Sequence, residues 1–103
     1  MQQIETEFGF VIPLGETEEV SATVLEVLPK REIAKEFHKK TREIEIILHG
    51  EILANGVSKK EGDISVWEPG KEHEYLNTGS QPVRILCVAI PKYDPSDTYK
   101  VSA

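Results

Sequence analysis

His38, Glu43 and His73, with Glu36 and Glu45 beside them, are the side chains of this sequence best suited to chemistry. Imidazole nitrogens mixed with carboxylate oxygens suit Fe(II), Mn, Co, Ni or Zn, and two imidazoles with one carboxylate leave coordination positions open for a ligand. His38 closes the run Glu36-Phe37-His38 and precedes Glu43 on the same stretch of chain. His73 lies in the run Gly62 to Asn77, GDISVWEPGKEHEYLN, directly after the Pro69-Gly70 turn. Successive side chains of a strand point to opposite faces. An extended Glu36-Phe37-His38 therefore sends Glu36 and His38 to one side and Phe37 to the other, where it is expected to join the core. On the following strand Glu43, Glu45 and Ile47 share one face, and Ile44, Ile46 and Leu48 share the other. The aliphatic set reads as the packing face, which leaves the acidic set to solvent or to a polar cavity. Ionised carboxylates are costly to bury without a partner. A divalent cation would supply that partner in a cavity holding Glu36, His38, Glu43 and His73.

The elements that must position these groups are short and β-like. Turn formers recur at Pro13, Gly15, Pro29, Gly50, Asn55-Gly56, Gly62, Pro69-Gly70, Gly79, Pro82 and Pro91. Runs rich in β-branched residues fill the gaps, as in a sandwich or barrel. Strands are predicted over Val20 to Leu28, Ile44 to Leu48 (continuing from Glu43), Glu51 to Ala54, Val57 to Lys59, Ile64 to Trp67, His73 to Leu76 and Val83 to Ile90. Asn55-Gly56 between two of them signals a hairpin with a type I′ turn. An early strand over Phe8 to Ile12 is expected to break at Pro13 and Gly15. Lys30 to Lys40 reads as a loop leading into a strand, and Pro91 to Ala103 as a polar tail in which Asp94-Pro95-Ser96-Asp97 makes a turn or a single helical turn.

The chain has 103 residues, the size of a single domain, and twelve basic residues against eighteen acidic ones give a net charge of −6. That balance argues against a general nucleic-acid or anionic-membrane binder, which needs a basic surface. No apolar run approaches the roughly 20 residues of a membrane-spanning helix. The lone cysteine, Cys87, rules out an intrachain disulfide and fits a reducing cytoplasm. The first residues, MQQIETEFGF, lack the basic and apolar pattern of a secretory signal. A cytoplasmic location is the resulting expectation. Cys87 is expected to pack in a buried strand, and His49, beside Gly50, to lie on the surface.

The spacing of these residues resembles the cupin superfamily. Gly62, Asp63, Gly70, His73 and Asn77 fall in register with the second cupin motif, with Glu68 standing where that motif has proline and Pro69 following at once. Counting back from Gly50 puts Glu43 at the glutamate of the first motif and His38 at its second histidine, with Glu36 in place of the first. The resemblance covers about residues 20–90 and implies an all-β fold, a small antiparallel jelly-roll β-barrel, with 1–103 forming one cupin domain. It further implies one divalent metal held by His38, Glu43 and His73, with Glu36 as fourth ligand or base. Glu45 is the other candidate catalytic acid or base. The expected activity is that of a small metalloenzyme on a small polar or anionic metabolite, of dioxygenase or of isomerase or lyase type. The rival expectation is a small-ligand-binding module without catalysis. The family habit and the modest core of so short a chain point to a homodimer.

Overall fold

The computed structural model describes residues 2–101. Among the described residues, eleven strands form two antiparallel sheets. In chain order they are β1 (Ile4–Glu5), β2 (Gly9–Glu16), β3 (Ser21–Val27), β4 (Glu32–Phe37), β5 (Arg42–His49), β6 (Glu51–Ala54), β7 (Val57–Lys60), β8 (Ile64–Trp67), β9 (His73–Leu76), β10 (Val83–Ile90) and β11 (Tyr99–Lys100). One sheet has the order β1-β2-β3-β10-β5-β8 and the other β11-β4-β9-β6-β7. The two face each other as an all-β jelly roll whose sheets are not joined into a closed ring of hydrogen bonds. No helix among the described residues is long and apolar enough to cross a membrane.

The inward faces are graded from polar to apolar along the strands. In the antiparallel register of β3, β10 and β5, Thr23, Cys87 and Glu45 lie side by side, whereas Leu25, Ile85 and Ile47 form another row. Val83 lies across from Val27 in the next row of the same ladder. The apolar half joins Ile33, Ile52, Ala54, Trp67 and Tyr75 in one buried cluster. The polar half, with Ser21, Glu43 and His73, is left without an aliphatic filling. One end of the interior is thus a packed core and the other a lined cavity.

Turns follow the sequence signals. Asn55 and Gly56 have φ of 47° and 78°, both positive as a type I′ turn demands. Asn77 is fully buried, and its Nδ2 donates to the carbonyls of Val27 at 3.0 Å and Gln81 at 2.9 Å while its Oδ1 accepts from the Gly79 N–H. This motif asparagine ties the β9–β10 turn to β3 and does not face the cavity.

Five expectations are corrected. Lys30 to Lys40 is not a loop: β4 occupies Glu32–Phe37, because β9 and β11 supply ladder partners from far along the chain. The early strand does not break at Pro13, since β2 runs to Glu16 through a bulge that absorbs Pro13 and Gly15. The residues after Pro91 are more than a polar tail: a single 3₁₀ turn at Pro95–Asp97 leads into β11 on the edge of β4. Most consequentially, Ile44, Ile46 and Leu48 point outward, and Glu43, Glu45 and Ile47 form the buried face. Phe37 is half-buried and stacks on Tyr99 at 5.3 Å, outside the core cluster.

Candidate metal centre

Three elements converge at the polar end. His38 follows β4, Glu43 lies on β5 opposite Trp67 of β8, and His73 opens β9 opposite Glu36 of β4. A bulge between Ile33 and Glu36 turns Glu36 toward the same side as His73. The Gly70 N–H donates to the His38 carbonyl at 2.6 Å, so the Pro69-Gly70 turn fastens the two histidine segments together.

The side chains meet closely. Glu43 Oε1 lies 3.2 Å from His38 Nε2 and 3.1 Å from His73 Nε2, and all three residues are buried. The far nitrogens are held by backbone: His38 Nδ1 sits 3.0 Å from the Asp97 carbonyl and His73 Nδ1 3.1 Å from the Lys71 carbonyl. A carbonyl only accepts, so each Nδ1 carries its proton. In a neutral ring, Nε2 is then a bare lone pair. Two lone pairs would face one carboxylate oxygen, an arrangement that repels unless something positive stands between them. His38 Nε2 and Glu43 Oε1 indeed have no aligned hydrogen-bond partner although both are buried. Protons or a cation can fill that role, and the donor set fits a divalent metal.

Electrostatics agree. The Glu43 contact, opposed by burial and aided by the Glu43 and Glu36 charges and the Asp97 carbonyl, raises the His38 pKa to about 9. Burial works against the Glu43 carboxylate, but contact with His38 and His73 outweighs it and brings its pKa down to about 2. Burial likewise opposes the charged form of His73, and Glu43 with the Lys71 carbonyl overcomes it, so that its pKa is raised.

Glu36 offers a carboxylate oxygen within 4.8 Å of nitrogens of both His38 and His73, so these three form one possible ligand group. Its other neighbour is Lys100 Nζ at 3.8 Å. Glu43, Glu45 and Cys87 form a second group of the same kind immediately behind it. The Cys87 thiol lies 3.3 Å from Glu43 Oε2 and faces the site as well as the strand interior. Glu45 Oε1 accepts from Trp67 Nε1 at 2.7 Å and from Tyr75 Oη at 2.5 Å. Burial, then the charge of Glu43, raises the Glu45 pKa despite those donors. Trp67 also stacks on the His73 ring, at 5.2 Å and 11° between planes.

A cavity of about 400 Å³ opens on this cluster between the sheets. Glu7, Glu32, Glu36, Glu43 and Glu45 line it against a single lysine, Lys100, with Phe8, Val11, Leu25 and Ile33 among its apolar walls. His49 is outside it, exposed and 3.2 Å from Glu61.

Asp97 escaped the sequence reading. Besides its carbonyl on His38, its carboxylate accepts from the backbone N–H groups of Lys39, Lys40 and Thr41 at 3.0, 3.0 and 3.1 Å. Burial disfavours its charge, but those donors outweigh it and lower its pKa. The only local signal was a turn sequence, which gives no hint of a partner so far up the chain.

Residues 23–89, more than half of the chain, match the family model described as a cupin domain. The chain belongs to that family, and its all-β jelly-roll fold agrees with it. No curated protein matches it in sequence. Solved structures do resemble it in fold. An uncharacterized conserved protein with a double-stranded β-helix domain from Klebsiella pneumoniae is 23% identical with a TM-score of 0.78, over 99% of this chain and 86% of that one. A predicted oxalate decarboxylase from Thermotoga maritima is 24% identical with a TM-score of 0.74, over 87% and 90%. The polyketide cyclase RemF from Streptomyces resistomycificus is 20% identical with a TM-score of 0.75, over 91% and 71%.

Proposed function

We propose that this cupin is a metal-dependent enzyme of isomerase or lyase type acting on a small polar molecule. His38, Glu43 and His73 would hold one divalent ion, with Glu36 as a fourth ligand or a base at the mouth. Carboxylate-rich ligation favours a hard ion such as Mn or Fe(II) over Zn. When bound, the ion supplies Lewis acidity that polarises a carbonyl or carboxylate oxygen of the ligand. The observation that carries the reading is the convergence of His38 Nε2 and His73 Nε2 on Glu43 Oε1, with His38 Nε2 and Glu43 Oε1 buried and without aligned partners.

The second carboxylate group supports the isomerase or lyase reading. Glu45 is dry, sits on the cavity wall and is held in place by Trp67 and Tyr75. Its raised pKa, caused by burial and the charge of Glu43, suits a group that holds a proton it can pass on. Such a group serves proton shuttling at a carbon beside a carbonyl. The acidic lining narrows the ligand: Glu7, Glu32 and Glu36 against one lysine, Lys100, favour an uncharged polar compound with an apolar portion over a polyanion. The relatedness of the fold to a polyketide cyclase is compatible with such chemistry and does not select a substrate.

Hydrogen–deuterium exchange into a panel of uncharged hydroxyketones, with Mn(II)- or Fe(II)-loaded protein in D₂O, tests this. The expected result is exchange that Glu45→Gln slows by about 10²–10⁴-fold while metal content stays unchanged. Oxygen uptake in place of exchange would move the assignment to a dioxygenase. Ligand-induced thermal stabilisation with neither activity would move it to a non-catalytic binding module.

A further inference from the structure

The backbone around His73 has a strand beside it on one edge only. On the β4 side, Glu36 lies across from His73. On the other side the β6 ladder stops short, pairing Leu53 with Leu76 and Ala54 with Tyr75. The chain then turns away at Asn55-Gly56 into β7. Asn55 fills the gap. Its backbone N–H donates to the Glu74 carbonyl at 3.0 Å. Its side chain reaches further: Nδ2 donates to the Glu72 carbonyl at 3.0 Å, and Oδ1 accepts from the Glu74 N–H at 2.8 Å. Those two groups belong to the peptide units on either side of the His73 Cα. One planar amide, with a donor and an acceptor side by side, stands in for the missing strand.

We infer that Asn55 is a positioning residue for His73: its side-chain amide fixes the backbone that aims the imidazole at Glu43 and Trp67. The turn alone does not call for an amide. Its positive φ of 47° suits Gly or Asp as well as Asn, and Asp-Gly and Gly-Gly also make type I′ turns. Only Asn both donates to the Glu72 carbonyl and accepts from the Glu74 N–H. A carboxylate would set an oxygen against that carbonyl, and glycine would leave both groups to water. The ring so held has little room. His73 is buried, stacks on Trp67 at 5.2 Å with 11° between planes, and places Nε2 3.1 Å from Glu43 Oε1. Its Nδ1 is tied to the Lys71 carbonyl on the same segment. A strand side chain leaves Cα in a direction set by the flanking peptide planes, so a tilt of either one swings the imidazole. The clamp lies toward the surface, where each bond adds only about 1 kcal/mol to stability. Its effect on metal binding rests on the ligand set proposed above; its effect on the ring does not.

Single changes separate the clamp from the turn. Asn55→Gly keeps the turn and removes both side-chain bonds. Asn55→Asp keeps the turn and the acceptor but loses the donor. Gly56→Ala strains the same turn, at φ of 78°, and leaves the clamp in place. Trp67 is the sole tryptophan, and its emission responds to the imidazole stacked on it, so fluorescence of the metal-free protein reports where the ring lies. Calorimetric titration with Mn(II) reports what a displaced ring does to the centre. Asn55→Gly and Asn55→Asp should change the Trp67 emission and weaken Mn(II) binding roughly tenfold. Gly56→Ala should melt lower and alter neither. Unchanged emission in Asn55→Gly, or the same change in Gly56→Ala, overturns the inference, because the ring is then held without the amide or by the turn alone. Changed emission with undiminished Mn(II) affinity overturns it too. A wild-type chain that takes up no Mn(II) strikes the metal reading instead, and the emission of the variants still decides the clamp.

Discussion

Asp97 acts on the candidate metal centre without a donor atom in it. Its carbonyl fixes the proton of His38 on Nδ1, and its carboxylate gathers the N–H groups of the segment that follows His38. Partners that orient a metal-binding histidine influence affinity nearly as much as the ligands do. Asp97→Ala leaves the carbonyl in place but frees three buried or half-buried donors. It should lower stability by about 2–3 kcal/mol and weaken Mn(II) affinity roughly 10–100-fold. His73→Ala should abolish metal retention while the fold persists. Thermal melts followed by circular dichroism, with metal content by elemental analysis, separate the two effects. Full metal occupancy in His73→Ala would mean that the ligand set is wrong. This scale also marks the reach of the sequence. His38, Glu43 and His73 were legible because motif spacing fixes them relative to glycine turns close by. Asp97, and the bond from Tyr75 to Glu45, depend on pairings across the whole chain that no local pattern encodes.

The strands themselves were largely legible, and the errors among them share one cause. Alternation tells which residues lie on the same face of β5 but not which face is buried. Isoleucines were the natural choice for the inside, and they proved to be outside because the sheet is apolar on both sides. Likewise β4 looked like a loop, since lysines and glutamates dominate it, and its ladder partners come from β9 and β11. The break expected at Pro13 became a bulge, held by the pairing of β2 with β3. Gly9 shows how tight that pairing is. Its φ is +147°, and a Cβ built there would lie 2.2 Å from the Glu26 carbonyl oxygen. Gly9→Ala must therefore move backbone against backbone while adopting a disfavoured conformation. It should cost at least ~2 kcal/mol, read as a fall in Tm of about 10 °C. Gly56→Ala has φ of +78° but open space around it, so it should lose only the conformational part. Equal losses in the two variants would show that the contact with Glu26 is not what makes Gly9 necessary.

For the molecule as a whole, the cluster of His38, Glu43 and His73 ties stability to pH, with a sign that depends on what sits among the donors. In the metal-free protein the His38 pKa is raised from 6.5 to about 9. Its contribution is therefore complete below pH 6.5 and is lost as pH rises through about 9. Glu43 is lowered from 4.5 to about 2, so its contribution is complete above pH 4.5 and is lost as pH falls through about 2. The two shifts describe one interaction, counted once. Metal-free protein should accordingly be most stable between about pH 4.5 and 6.5 and should lose on the order of 10 °C in Tm by pH 10. A metal reverses the upper limb. Ligation requires neutral imidazoles, so binding displaces the protons that hold the empty cluster together. Mn(II) affinity should climb with pH until about 9 and then level, with proton release on binding that fades over the same range. The gap in Tm between loaded and metal-free protein should widen accordingly. Calorimetric titration in buffers of different ionisation enthalpy measures the released protons directly. An affinity flat between pH 6 and 9 would show that His38 is not the group displaced, and the convergence on Glu43 would then need another explanation.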